Sequence, residues 1–248
     1  MSTLLPIPVI AIVGSKRSGK TTTVEAIVKG LTAKGYRVAA VKHIHEPDFT
    51  MDTVGKDTWR YAQAGANLII SAAAKELSII KKVGTTKFSL SDIIKNCQDD
   101  VDVIIIEGFR NLVAQDPLVP KIVTAKTSAE ILEASKFLKP ILAFAGPTPP
   151  PTNEVSGSKI PYADSIKEPE KLVDSVDKRI ASVIKKRKEL KLQETVEVQI
   201  DGKTIPLNQF VQKIMKNVLL SMISTLKGVA LKGDEKMLIA LISPPKDQ

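Results

Sequence analysis

The chain has 248 residues, 43% hydrophobic and 25% charged, an ordinary globular composition that fits one large domain or one domain with a smaller appended module. Lys plus Arg outnumber Asp plus Glu by 36 to 27, a net charge of +9; the excess favours anionic partners (nucleotides, phosphorylated cofactors, nucleic acid, a membrane surface) or serves solubility alone. The single cysteine, Cys97, excludes an internal disulfide framework and a cysteine-based zinc site, and fits a reducing compartment.

The N-terminal MSTLLPIPVIAIVG is apolar but has two prolines and no basic leader, so its second half reads as a buried strand over 8–13 and not as a signal peptide. No segment approaches about 18 uninterrupted apolar residues, so no membrane span is expected and the chain is assigned to the cytoplasm. Directly after the strand comes Gly14-Ser15-Lys16-Arg17-Ser18-Gly19-Lys20-Thr21, a match to G-x-x-x-x-G-K-[ST], followed by Thr22 and a helix over 19–34 that ends at Gly35. In such a P-loop the glycines allow a tight path, successive amides face an anion, and the helix N-terminus adds its partial positive charge. Lys20 then reaches the terminal phosphates and the Thr21 hydroxyl serves Mg²⁺, with Lys16 and Arg17 adding charge around the cradle.

A strand over 37–42 delivers Lys42, His43 and His45 to the carboxyl edge of the sheet, where α/β proteins bind ligands. Asp48 and Asp52 follow in the loop. Asp52 is the candidate for a further magnesium ligand or water-orienting group, and Lys56 and Arg60 are placed to touch anionic groups. The two histidines fit hydrogen bonding or stacking at a ligand site; a His-x-His plus Asp zinc site and ordinary polar loop residues are alternatives. A helix over 56–64 ends at Gly65, strands follow at 67–72 and 77–82, and a helix at 90–97.

The run Asp102–Glu107 reads as a strand whose terminal acid, Glu107, would hold a metal-bound water or polarise an attacking one; Gly108 turns the chain away. Lys20, Glu107 and Asp52 are thus the candidate catalytic residues. Further strands at 120–125 and 140–145 flank a helix at 128–137. The alternation specifies an α/β fold: a mostly parallel P-loop NTPase-type sheet flanked by helices. A proline-rich loop after Ala145 precedes a helix from Glu168 to Leu192, whose lysine-rich end reads as a solvated face. Domain one is therefore 1–192. Residues 195–248 read as a small ββαβ module, with a hairpin turn at Asp201-Gly202, an amphipathic helix carrying Phe210, Ile214, Val218, Met222 and Leu226 and stopped at Gly228, and a strand at 236–242.

The order GSKRSGKTT, KHIHEPDFTMDTVGKDTWRYAQAGA, DVIIIEGFR and PKI (120–122) resembles the MobB family, the molybdopterin-guanine dinucleotide biosynthesis adaptor, over roughly residues 8 to 180. The resemblance implies a cytoplasmic, homodimeric, GTP-binding protein with weak Mg²⁺-dependent GTPase activity. It would act in molybdenum cofactor maturation beside a MobA-type nucleotidyltransferase that joins GMP to molybdopterin. Gly14 to Thr22 would then bind the triphosphate, Thr21, Glu107 and Asp52 would serve Mg²⁺, and His43, His45, Lys56, Asp57 and Arg60 would contact ligand or pterin. No Asn-Lys-x-Asp guanine motif follows 140–145, where Gly146-Pro147-Thr148 stands, so GTP over ATP comes from the resemblance. A small-molecule kinase is the alternative, but its only candidate lid, 111–120, contains no arginine. A nucleic-acid-stimulated ATPase is disfavoured because aromatics are only 4% of the chain, too few for stacking platforms.

Overall fold

Runs of β-branched residues that are apolar on both faces need cover on both sides, and the architecture supplies it. The computed structural model describes residues 7–46, 48–85, 88–97, 101–146, 160–193, 196, 198–200 and 202–226. The first half of the chain gives β1 (Val9–Gly14), α1 (Lys20–Ala33), β2 (Val38–Lys42), α2 (Asp57–Gln63), β3 (Leu68–Ala72), β4 (Leu77–Lys81) and α3 (Leu90–Asn96). Then come β5 (Val103–Glu107), α4 (Arg110–Val113), β6 (Lys121–Thr124), α5 (Ser128–Phe137), β7 (Ile141–Ala145), β8 (Tyr162–Ala163) and α6 (Pro169–Gln193). The last elements are β9 (Val198–Ile200), β10 (Lys203–Ile205) and α7 (Gln209–Ser224). The described residues form two compact units, Ile7–Ile180 and those from Ala181 onward.

In the first unit six strands run in the order β2-β5-β1-β6-β7-β8, every pairing parallel. Val9, Ala11 and Val13 of β1 join Ile104, Ile106, Val123 and Phe144 in one core with Ile93 of α3, Val113 of α4 and Ile131 of α5. Ile10, Ile12, Val103 and Ile105 alternate to the other face and are equally buried. Helix α1 lies against β1, β2 and β5, burying Ile27 and Leu31. Each such side chain is worth about 1.5–3 kcal/mol, so the strands carrying the ligand edge are the most firmly held part of the fold.

Helix α1 also packs on α6, and Gly30 allows it. A Cβ at that position would stand 2.3 Å from Val173 Cγ2. Beyond it, Lys34 donates to Asp174 at 3.0 Å and Asp177 at 2.8 Å, and the Tyr36 hydroxyl donates to Asp177 at 2.7 Å. On an open helix surface Gly→Ala gains about 1 kcal/mol. Here Gly30→Ala is expected to lose about 1–3 kcal/mol by overpacking. A denaturation midpoint above that of the wild type would show that the two helices have room to separate.

Two features depart from the sequence expectation. The runs at 67–72 and 77–82, expected to belong with the other strands, do not join the main sheet; among the described residues β3 and β4 pair only with each other, antiparallel. The cause is the short connection between them, closed by the Ala73 amide donating to the Glu76 carbonyl at 2.8 Å; parallel neighbours need a crossover of about a dozen residues or more. Helix α4 and strand β8 were not anticipated, being four and two residues long, below what periodicity can register.

In the second unit β9 and β10 form the expected antiparallel hairpin, with Gly202 at φ 75° in its turn. Helix α7 starts at Asn208, whose side chain accepts from the Val211 amide at 2.9 Å. Asp201, Gly228, the expected strand at 236–242, the proline-rich loop over 147–159 and the N-terminal residues through Pro6 lie outside the described residues.

Candidate functional site

The loop from Gly14 to Thr21 joins the carboxyl end of β1 to α1. Gly14 is sterically required there: a Cβ would meet the Thr124 carbonyl oxygen and Oγ1, each at 2.2 Å. Arg17 (φ 60°) and Gly19 (φ 91°) both take left-handed conformations on either side of Ser18. Ser18 is buried, its hydroxyl 2.9 Å from the Ser15 carbonyl, to which it donates, and 2.6 Å from Thr124 Oγ1. No side chain caps α1, so the amides of its first turn are left for a ligand. Lys20 folds back, its ammonium donating to the carbonyls of Gly14 at 3.2 Å and Ser15 at 2.6 Å. Burial lowers the Lys20 pKa, Glu107 opposes that shift, and Lys42 and Lys126 add to it. Lys16, Arg17, Thr21 and Thr22 are exposed around the loop.

Thr124 was missed by the sequence reading. It ends β6 beside β1, and the rule that ligand residues gather at strand carboxyl ends was the available signal. Its hydroxyl anchors the loop from the side opposite Glu107. Thr124→Val is expected to cost about 1–2 kcal/mol by removing a buried hydrogen bond, and Thr124→Ser considerably less; chemical denaturation of the three proteins measures both.

Across the loop, the sheet order sets β5 between β1 and β2, with Ile12 and Lys42 each in register with Glu107. The Glu107 side chain is largely buried and accepts the Thr21 hydroxyl at 3.1 and 3.2 Å. Lys42 Nζ lies 3.4 Å from its Oε1. The expected threonine and acid therefore meet directly. Both are hard oxygen donors, the chemistry Mg²⁺ selects. Gly108 (φ 91°) and Phe109 (φ 54°) then turn the chain away, and the Gly108 amide donates to the Ile12 carbonyl at 2.9 Å.

His43 leaves β2 with its amide donating to the Glu107 carbonyl at 2.9 Å. Its ring stands 4.3 Å from His45, edge-on, and 4.8 Å from Phe109. Burial, then the neighbouring His45, lowers the His43 pKa and so favours the uncharged ring. No three His, Cys, Asp or Glu side chains gather in metal-binding geometry among the described residues.

The remaining candidates lie at the head of α2. One Asp52 oxygen accepts from the Thr53 amide and the Thr58 hydroxyl, both at 2.9 Å, which fixes the turn into the helix. Lys56 is the N-cap residue, and Asp57 pairs with Arg60 at 3.8 Å, both largely exposed. A cavity of about 130 Å³ opens beside the loop, lined by Gly14, Ser15, Thr124, Arg110, Glu130 and Glu133. A larger one, about 250 Å³, is lined by Tyr162, Lys171 and Lys178 and contains none of the loop residues.

With this geometry in place, the family described as molybdopterin guanine dinucleotide synthesis protein B, MobB, matches residues 9–145, from the start of β1 to the end of β7. The chain belongs to the MobB family. A putative molybdopterin-guanine dinucleotide biosynthesis adapter protein of Methanocaldococcus jannaschii is 31% identical over 237 residues, 89% of this chain and 92% of the relative. The molybdopterin-guanine dinucleotide biosynthesis adapter protein of Haemophilus influenzae is 35% identical over 118 residues, 47% of this chain and 62% of that one. Among solved structures, Bacillus subtilis MobB superposes with a TM-score of 0.53 at 26% identity, covering 70% of this chain and 98% of its own. The archaeal MobB-like relative therefore extends well past the residues the family match covers. No helix among the described residues is long and apolar enough to cross a membrane.

Proposed function

We propose that this MobB-family chain binds GTP with Mg²⁺ at Gly14–Thr22, hydrolyses it slowly, and acts in the cytoplasm as adapter to a MobA-type nucleotidyltransferase that attaches GMP to molybdopterin. The observation that supports this most is the meeting of Thr21 with Glu107 at 3.1 Å beside the loop that Lys20 closes. Thr21 and Glu107 would hold the Mg²⁺, which supplies charge neutralisation on the phosphates. The loop amides and Lys20 orient the triphosphate, and Glu107 fixes or polarises water. His43, with Phe109 beside it, offers a flat face for a ring, and Asp52 would serve as the further magnesium ligand or water-orienting group. Residues 1–192 carry this activity, and 195–248 have a separate role.

A kinase reading lacks its lid. Arg110 heads the 111–120 segment but lies 3.8 Å from Glu133. Titration calorimetry of the full chain with GTP and ATP, each with and without Mg²⁺, tests the proposal. GTP is expected to bind more tightly than ATP, with slow phosphate release. Absence of binding by either at millimolar concentration with Mg²⁺ present would overturn it.

A further inference from the structure

The contact between Thr21 and Glu107 sets the direction of a nucleotide in the loop. The cation and terminal phosphates belong on the β5 side of β1, so the nucleoside leaves the other way, over the carboxyl ends of β6, β7 and β8. Lys126, just past β6, stands near enough to Lys20 to lower its pKa. Gly146, just past β7, tolerates no side chain: a Cβ would stand 2.6 Å from the Ala125 carbonyl oxygen. The sequence holds no acid from Gly146 to Asn153. Among the described residues, the carboxylate that ends this row is Asp164, directly after β8.

The end of β8 is tied to the phosphate loop. Ser165 is buried, and its hydroxyl lies 2.7 Å from that of Thr23, which donates to the Gly19 carbonyl at 2.9 Å. Two hydrogen bonds thus separate the residue after Asp164 from the loop itself. One Asp164 oxygen accepts from the amides of Ile166 at 2.8 Å and Lys167 at 3.2 Å, which holds the carboxyl below its usual range and favours the charged form. The second oxygen has no partner among the described residues.

We propose that Asp164 is the acceptor that selects guanine, an assignment that rests on the GTP site put forward above. Guanine presents N1–H and a 2-amino group side by side, both donors, where adenine presents a lone pair and no amino group. A carboxylate fixed by main-chain amides accepts from the first and repels the second. From β1 to β8 is three strand spacings, about 14 Å, a span that an α-phosphate, ribose and purine cover together. Glu130 is the other acid beside the loop, but it lies on the face covered by α4 and α5 and one of its oxygens accepts from the Lys126 amide at 2.7 Å. A pterin ring carries the same pair of donors; nucleotides that differ only in their bases test guanine directly.

Titration calorimetry of the full chain with Mg²⁺ and GTP, xanthosine triphosphate or ATP provides the test. Xanthine has a carbonyl where guanine has the 2-amino group. Asp164→Asn offers that carbonyl a donor, and its own amide oxygen still accepts from Ile166 and Lys167. Affinity for GTP is expected to fall at least about tenfold in Asp164→Asn, and affinity for xanthosine triphosphate to rise at least about tenfold, the scale of one hydrogen bond to a charged group. Asp164→Ala should narrow the preference for GTP over ATP. Opposite changes in two nucleotides with identical phosphates identify a contact to the base, because a damaged fold weakens both. An Asp164→Asn protein that keeps the wild-type preference, or loses both nucleotides alike, would overturn this assignment and leave the GTP site standing. A wild type that binds none of the three would overturn the GTP site and this assignment with it.

Discussion

Lys20→Ala is expected to raise the dissociation constant for GTP by at least about 100-fold while leaving the fold intact, the loss associated with removing one partner of a desolvated charge pair. The ammonium is held at the loop by two main-chain carbonyls, within reach of any anion that the loop amides receive. Stability should change by less than about 1 kcal/mol, because Lys20 and the two residues whose carbonyls it meets are only half-buried. The pH dependence has a definite sign. Burial lowers the Lys20 pKa, so the charged form is lost at a lower pH than for an ordinary lysine. Affinity should therefore fall as pH rises through that lowered value, before free lysines titrate, and the Lys20→Ala protein should not show the fall. Calorimetry across pH measures both, and retained affinity in the variant would reject the site.

Glu107→Gln should separate binding from turnover. The amide keeps the shape and still accepts a hydrogen bond from Thr21, so GTP should bind within about threefold of wild type. Hydrolysis should fall by about 10²–10³, the scale for removing one preorganised electrostatic group, and the dependence on Mg²⁺ should weaken. Glu107 also supplies the negative charge that opposes the lowering of the Lys20 pKa. Its neutralisation should move the pH fall described above to still lower pH, a coupling that a purely structural glutamate would not produce. Unchanged phosphate release in a single-turnover assay would show that the acid only supports the sheet.

The parts of this site that were legible in the sequence are those whose chemistry is local. Gly14 to Thr21 is a contiguous motif between a strand and a helix, and Glu107 ends an unbroken apolar run, so each could be placed without knowing the pairing of strands. Hidden were the contacts made by chain reversal. Thr124 touches Ser18 across β1 and β6, and Lys42 meets Glu107 only because β5 inserts beside β2. The approach of Thr124 to Gly14, so close that a Cβ would stand 2.2 Å from it, leaves no trace in either segment alone. The misplacement of β3 and β4 was of another kind. Their apolar residues face both ways, Ile69 inward and Leu68 and Ile70 outward, which imitates a covered strand, and the short connection was the better guide. Asp52 is a different case: it lies in the loop that follows the histidines, and its carboxylate accepts from Thr58 at the start of α2.

The insertion of β5 between β1 and β2 also governs how the chain matures on the ribosome. Val9 is in register with Ile104, and β1's other neighbour, β6, lies later still. The segment that bears Gly14 thus emerges before either neighbour, and so does β2, whose partner among the described residues is the same late strand. Such remote pairing slows assembly and leaves β1 waiting 95 residues and β2 65 residues for their partner strand. The anion cradle is consequently completed only after β5 and β6 have been made, well after its own residues.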